Sequence, residues 1–135
     1  RECLSFFLHS LPPDCKFNII RFGGTYECIF KTGELVDYNE LYLNYADEIA
    51  KNIRADLGDT KLYQPLLEAY RQSEKSKQSG KVVQIFTLTD GEIHDSGEVF
   101  SLVQQHNIDS RISSLGIGNA VDHNIVESST FKWNL

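Results

Sequence analysis

The sequence lacks the features that define several large classes of protein. No stretch is apolar for the length needed to span a bilayer, and no cleavable signal pattern is seen in these residues. Basic residues form no stripe, and the net charge of −6 is opposite in sign to that of a nucleic-acid-binding surface. We therefore expect neither membrane insertion nor a nucleic-acid partner.

Cysteine is scarce as well. The three cysteines are Cys3, Cys15 and Cys28, which have no close metal-type spacing, and an odd number leaves at least one unpaired. We expect buried free thiols, because Cys15 and Cys28 fall in or beside apolar strands. Free thiols favour a reducing, cytoplasmic or other intracellular compartment. A secreted protein with one disulfide is the alternative.

Signatures of common enzymes are also missing. The sequence has no P-loop lysine motif and no serine in a nucleophile elbow. Its four histidines share no metal-ligand spacing. What is present is an ordinary globular composition over 135 residues, which predicts one domain, residues 1–135.

Hydrophobic periodicity predicts helices that alternate with strands. The predicted helices span residues 2–11, 38–54, 61–73 and 122–128, with another opened by a cap at Asp95. The predicted strands span 16–22, 25–30, 82–89 and 110–117, with polar connectors at 30–37 and 73–80. In the helix at 38–54, the predicted apolar face is formed by Leu41, Tyr45, Ile49 and Ile53, supported by Tyr42, Ala46 and Ala50, whereas Asn44, Asp47, Glu48 and Lys51 are predicted to face outward. Alternating elements of this kind indicate an α/β fold with a mostly parallel sheet covered on both faces. The hairpin at Gly23-Gly24 adds one antiparallel edge strand.

The most informative stretch is the apolar strand that ends at Asp90. A carboxylate and then Gly91 follow the strand, and ligands of open α/β sheets bind just beyond the carboxyl ends of strands. A hard cation suits such a carboxylate, because Mg²⁺ prefers oxygen ligands. The alternative is that Asp90 only turns the chain or caps the next helix, and its position alone leaves both open.

Several segments together resemble a von Willebrand factor A domain. They are Ser10-Leu11-Pro12, Cys15-Lys16-Phe17-Asn18-Ile19-Ile20-Arg21-Phe22-Gly23, Leu57-Gly58-Asp59-Thr60 before Pro65-Leu66, Phe86-Thr87-Leu88-Thr89-Asp90-Gly91-Glu92 and Leu115-Gly116-Ile117-Gly118. Their order and spacing cover nearly the whole chain. The branch they resemble is that of inter-α-trypsin inhibitor heavy chains and of proteins that pair this domain with a VIT domain. The resemblance implies a Rossmann-type, doubly wound sheet.

The family's functional centre is a metal-ion-dependent adhesion site built from three loops. By resemblance, Thr60 matches its threonine and Asp90 its aspartate. Its Asp-x-Ser-x-Ser motif is absent from this sequence and is expected before Arg1, in the central first strand. The resemblance therefore implies a Mg²⁺ site that is incomplete in this chain, because Mg²⁺ takes near-octahedral oxygen coordination.

A sheet without its central strand would expose apolar edges on both sides of the gap. We therefore expect an N-terminally truncated domain, or one completed by an upstream segment or another chain. Asp59, Glu92 and His94 are candidates for the rim that meets a partner, since acidic groups attract a cation or a basic surface. The alternative is that these three residues are ordinary solvated side chains.

The leading hypothesis is a non-enzymatic module that docks a protein partner at the top of its sheet. A structural subunit of a larger assembly, without metal, is the second. A metal-dependent, Rossmann-like hydrolase using Asp90 and Glu92 is the third, because paired carboxylates can hold a cation that activates water. That third hypothesis lacks an identifiable base, nucleophile or phosphate loop.

Overall fold

The computed structural model of the protein describes residues 2–52, 60–89, 93–106 and 110–116. Within these residues lie four helices and six strands. The helices are α1 (Glu2–His9), α2 (Glu40–Asn52), α3 (Tyr63–Gln78) and α4 (Ser96–Gln105). The strands are β1 (Lys16–Phe17), β2 (Ile20–Phe22), β3 (Tyr26–Cys28), β4 (Val36–Asp37), β5 (Val83–Thr89) and β6 (Ser110–Gly116). The predicted helix at 122–128 lies outside the described residues.

The predicted strand at 16–22 is divided into β1 and β2 by Asn18. The Asn18 Oδ1 accepts the backbone N–H groups of Ile19 and Phe30, and its Nδ2 donates to the Phe30 carbonyl. The Asn18 side chain thus bonds to backbone groups that would otherwise pair between strands. Asparagine side chains can replace strand pairing in this way. The predicted hairpin is confirmed, because β2 pairs antiparallel with β3.

The predicted connector at 30–37 contains a further strand, β4, which pairs antiparallel with β1. Val36 is buried in a cluster that also holds Phe17 and Phe30. A two-residue strand has no detectable alternation, so composition alone indicated a loop. The described residues therefore contain two antiparallel strand pairs where the sequence predicted one.

Strands β5 and β6 form a parallel pair, in register from Val83 opposite Ser110 to Thr89 opposite Gly116. Helix α4 connects them, as the alternating pattern predicted.

Helices α3 and α4 run in the same direction. Asp95 bonds to the first amides of α3 at one end, and the His106 ring stacks on Tyr70 at the other, with ring centroids 3.9 Å apart.

Helices cover both faces of the sheet, as predicted. Ile85 packs against the buried cluster of α3 and α4, which includes Leu66 and Val99. The next residue, Phe86, makes an edge-on contact with Phe7 of α1, with ring centroids 4.5 Å apart. Because successive strand residues point to opposite faces, α1 and α3 must lie on opposite sides of β5.

The sheet is divided into separate pairs. Among the described strands, β2 bonds to β3 and β5 bonds to β6, and no described strand joins β2 to β5. Helix α3 contacts β2, β3 and β5, so it lies across both pairs. This division agrees with the gap expected for an absent central strand.

Helix α2 buries only part of the apolar face that the sequence predicted. Ala46 and Ala50 are 0% and 2% exposed, whereas Leu41 and Tyr45 are 75% and 51% exposed. The apolar stripe that contains Leu41 and Tyr45 therefore faces outward at its first two positions, which corrects the prediction. Asp47, predicted to face outward, turns instead toward α1.

Helix α3 continues beyond its predicted end at residue 73. It ends at Gln78, where Gly80 adopts a positive φ of 77°. The Gly80 N–H donates to the Lys77 carbonyl and the Lys81 N–H to the Ser76 carbonyl, which is the Schellman arrangement. The polar composition of 73–80 indicated a loop, but the segment has no helix breaker before Gly80.

Candidate functional site

The Thr60 segment (residues 60–62, immediately before α3) lies beside the chain that follows β5. The backbone N–H of His94 donates to the Thr60 carbonyl at 2.9 Å. Thr60 is half-buried and His94 is exposed. Two of the five predicted site residues are therefore neighbours, although they lie 34 positions apart in the sequence.

The same segment also bonds to the other strand pair. The Lys61 N–H donates to the carbonyl of Gly23 at 2.9 Å, just after the end of β2. Gly23 is buried, and its own N–H donates to the Thr25 carbonyl at 2.8 Å. The Thr60 segment thus bridges the hairpin and the 93–95 segment (residues 93–95, between β5 and α4).

Asp95 holds the Thr60 segment from the α4 side. The carboxylate accepts the N–H groups of Leu62 and Tyr63, at 2.9 Å on Oδ1 and 2.8 Å on Oδ2. These are amides at the start of α3, which have no partner within their own helix and carry the positive end of its dipole.

This arrangement corrects the sequence interpretation of Asp95. The capping-box spacing predicted that Asp95 caps its own helix, but it makes no side-chain bond to the first turn of α4. Its carboxylate caps α3, through the amides of Leu62 and Tyr63, which are 33 and 32 positions away. No local pattern signals a cap supplied from that distance, so sequence reasoning missed this contact.

Asp59, Asp90 and Glu92 lie outside the described residues. Among the residues that the structure describes, no three histidine, cysteine or acidic side chains converge as metal ligands would. Thr60 offers a hydroxyl oxygen, which suits a hard cation such as Mg²⁺. The donor chemistry fits, and the remaining ligands of such a site would have to come from residues beyond the described ones.

An open groove of about 420 Å³ lies between α3 and α4. It is lined by Tyr63, Glu98, Ser101, Leu102 and Gln105. Glu98 is the one carboxylate in this lining, so the groove does not offer the paired carboxylates that metal-assisted hydrolysis would use.

Cys15 and Cys28 are free thiols. Burial raises the pKa of both, and the contribution of burial exceeds that of the hydrogen bond from Gln72 that lowers the pKa of Cys28. A raised pKa keeps a thiol protonated and unreactive at neutral pH. Neither cysteine is therefore a candidate nucleophile.

The described helices include none with both the length and the apolar character needed to cross a membrane.

The family model for the von Willebrand factor type A domain matches residues 1–128. The chain belongs to this family. The match covers both the Thr60 segment and the strand that precedes Asp90. Von Willebrand factor A domains are in general protein–protein interaction modules.

Relatives in animals and an amoeba carry the same domain in much longer chains. The mouse von Willebrand factor A domain-containing protein 5B1 is 35% identical over 127 residues, which cover 94% of this chain and 10% of that protein. The rat protein 5A is 35% identical over 128 residues, 95% of this chain and 15% of that protein. A Dictyostelium discoideum member is 32% identical over 126 residues, 93% of this chain and 13% of that protein. The chain thus spans a small part of the relatives it matches.

Solved structures support the fold. A von Willebrand factor type A protein from Catenulispora acidiphila superposes with a TM-score of 0.81 at 18% identity, covering 94% of this chain and 30% of that one. The manganese-loaded TRAP protein of Plasmodium vivax superposes with a TM-score of 0.73 at 16% identity, covering 98% and 54%. The predicted Rossmann-type α/β fold is therefore confirmed.

Proposed function

We propose that this von Willebrand factor A domain docks a protein partner at the carboxyl edge of its sheet through a bound divalent cation. The observation that carries the proposal is the position of Thr60. A hydrogen bond from His94 holds its segment against the chain that follows β5 and Asp90. Docking at this edge follows the general rule that ligands of open α/β sheets bind beyond the carboxyl ends of the strands.

Thr60 and Asp90 are the proposed cation ligands, and Mg²⁺ is the proposed ion. A hydroxyl and a carboxylate oxygen are suitable donors, but Mg²⁺ needs further oxygens. We assign these to an Asp-x-Ser-x-Ser segment outside this chain, as in the metal-ion-dependent adhesion site that the resemblance implies. The manganese-loaded state of the Plasmodium vivax neighbour supports a divalent cation in this fold.

Asp59, Glu92 and His94 form the proposed rim around the cation. Their placement in the sequence next to Thr60 and Asp90 supports this role, and His94 is exposed at the edge. An acidic rim attracts a cation and a basic partner surface over several ångströms. The proposed role is binding without catalysis.

A second candidate function is that of a structural subunit that uses no metal. The division between the β2–β3 and β5–β6 pairs favours it, because a strand from an upstream segment or another chain would fit there. In that case docking would depend on the strand pairing and not on a cation.

Binding of Mn²⁺ to the full-length protein, followed by electron paramagnetic resonance, separates the two candidates. We expect one Mn²⁺ site in the wild type, loss of binding in Asp90→Ala and roughly tenfold weaker binding in Thr60→Ala. Mn²⁺ suits this test because its open shell is detected by electron paramagnetic resonance and because, like Mg²⁺, it prefers oxygen ligands.

Glu98→Gln is the matched control, because it removes one exposed acid from the first turn of α4 without touching the Thr60 segment. Its affinity for Mn²⁺ should equal that of the wild type. Absence of a Mn²⁺ site in the wild type, or equal binding by Asp90→Ala, would reject the cation-dependent function and favour the structural one.

A further inference from the structure

We infer that Asp95 is a positioning residue, whose carboxylate holds the Thr60 segment against the 93–95 segment at the carboxyl edge of the sheet. The geometry is unusual for an aspartate at the start of a helix. Asp95 begins α4, and its backbone carbonyl accepts the Val99 N–H in the ordinary way. Its side chain, however, is directed entirely to another helix.

Both carboxylate oxygens are engaged by α3. Leu62 and Tyr63 donate their N–H groups at 2.9 Å and 2.8 Å to separate oxygens of Asp95. Hydrogen bonds to a charged acceptor are roughly twice as strong as neutral ones, and two of them fix the direction as well as the distance. The start of α3 cannot turn relative to α4 without breaking at least one.

A third hydrogen bond joins the same two segments through their backbones. His94 N–H donates to the Thr60 carbonyl at 2.9 Å. The two hydrogen bonds to the Asp95 carboxylate are made by the residues that follow Thr60 and Lys61 in the chain. The backbone hydrogen bond from His94 is made by Thr60 itself. Loss of the Asp95 carboxylate therefore frees the start of α3 and weakens the bond between Thr60 and His94.

The consequence for binding rests on the proposed function. Asp95 is not offered as a cation ligand or as a partner contact. It acts through Thr60, by setting where the hydroxyl of that residue lies relative to the chain after β5. Residues that orient a ligand in this way commonly change metal affinity by 10- to 100-fold when they are replaced.

The test measures amide hydrogen exchange in the full-length protein. Asp95→Asn keeps the shape of the side chain but leaves a single oxygen acceptor and no charge. We expect about tenfold faster exchange at Leu62 and Tyr63, and also at His94, whose N–H donates to the Thr60 carbonyl. The Ile29 amide, which donates to the Ile19 carbonyl at the end of the hairpin away from Gly23, serves as the reference and should not change.

Glu98→Gln is the matched control, since it removes the same charge from the first turn of the same helix. It should leave all four amides unchanged. Faster exchange at Leu62 and Tyr63 with no change at His94 would show that Asp95 only caps α3, and would overturn the inference. Faster exchange at Ile29 as well would show an effect on overall stability, which also contradicts a positioning role.

Binding of Mn²⁺ alone gives the second readout. If Asp95→Asn weakens Mn²⁺ binding about tenfold and Glu98→Gln does not, the coupling to the cation site is supported. Unchanged Mn²⁺ affinity in Asp95→Asn would refute that coupling. A wild type that binds no Mn²⁺ would instead reject the proposed cation function, while the exchange data would still decide the role of Asp95.

Discussion

At the scale of single residues, the carboxylate of Asp47 ties α1 to α2. Ser5 Oγ donates to its Oδ1 at 2.8 Å, and His9 Nε2 lies 2.6 Å from its Oδ2. The Asp47 side chain is only 14% exposed. Burial raises the pKa of Asp47, but the hydrogen bonds from Ser5 and His9 and the charges of His9 and Lys51 together exceed that effect and leave the pKa below its ordinary value.

A lowered pKa makes a definite prediction about acid. The carboxylate contributes stability above its unfolded-state pKa of roughly 4, and the contribution is lost as the pH falls through the folded-state value. We expect Asp47→Asn to lower the free energy of unfolding by about 1 kcal/mol at neutral pH. The difference from the wild type should shrink as the pH falls below roughly 4, in urea unfolding curves measured along a pH series.

Glu48→Gln is the control for Asp47→Asn. Its side chain is 70% exposed and its ion pair with Lys51, at 3.5 Å, is a surface pair within one helix. Such pairs contribute about 0.3–0.5 kcal/mol at most. Equal losses for Glu48→Gln and Asp47→Asn, or a difference independent of pH, would contradict the role given to Asp47.

The residues of the proposed site differ in how far the sequence could predict them. Thr60 and Asp90 are assigned by resemblance to the family motif, and the structure brings His94 beside Thr60. Asp95 could not be assigned correctly, because its capping-box spacing satisfies a local rule while its partners, Leu62 and Tyr63, are distant in sequence. Contacts between residues so far apart in the sequence are decided by the packing of the whole fold and not by local propensity.

At the scale of elements, α2 shows why an apolar stripe does not fix which face is buried. The helix carries two adjacent apolar rows, one through Leu41 and Tyr45 and the other through Tyr42, Ala46 and Ala50. The structure buries the second row, and the Tyr42 ring lies edge-on to Phe30 with centroids 5.3 Å apart. Ala46 belongs to the buried cluster that also holds Phe17 and Val36, and a small side chain at this contact permits close packing that hydrophobicity alone does not reveal.

The orientation of α2 can be tested by two substitutions on its opposite faces. Ala46 is 0% exposed, so Ala46→Leu should overpack the interface and lower the free energy of unfolding by about 1–3 kcal/mol. Leu41 is 75% exposed, so Leu41→Ser should change it by no more than about 0.5 kcal/mol. Chemical unfolding measures both, and a larger loss for Leu41→Ser than for Ala46→Leu would show that the row through Leu41 and Tyr45 is the buried one.

At the scale of the whole molecule, the two halves of the sheet, the β2–β3 hairpin and the β5–β6 pair, meet at the proposed binding edge. Helix α3 contacts strands of both halves, whereas the β1–β4 pair packs with α1 and α2. The Thr60 segment bonds to both halves, through Gly23 on one side and His94 on the other. A cation or a partner bound at this edge would therefore stabilise contacts with both halves at once.

Amide hydrogen exchange of the full-length protein, with and without millimolar Mg²⁺, tests the proposed site most directly. The proposal predicts that Mg²⁺ slows exchange at residues 60–63 and 93–95, leaves α2 and the β1–β4 pair unchanged, and has no effect in Asp90→Ala. Exchange that is the same with and without Mg²⁺, or protection that persists in Asp90→Ala, would contradict a cation-dependent docking site at the carboxyl edge of the sheet.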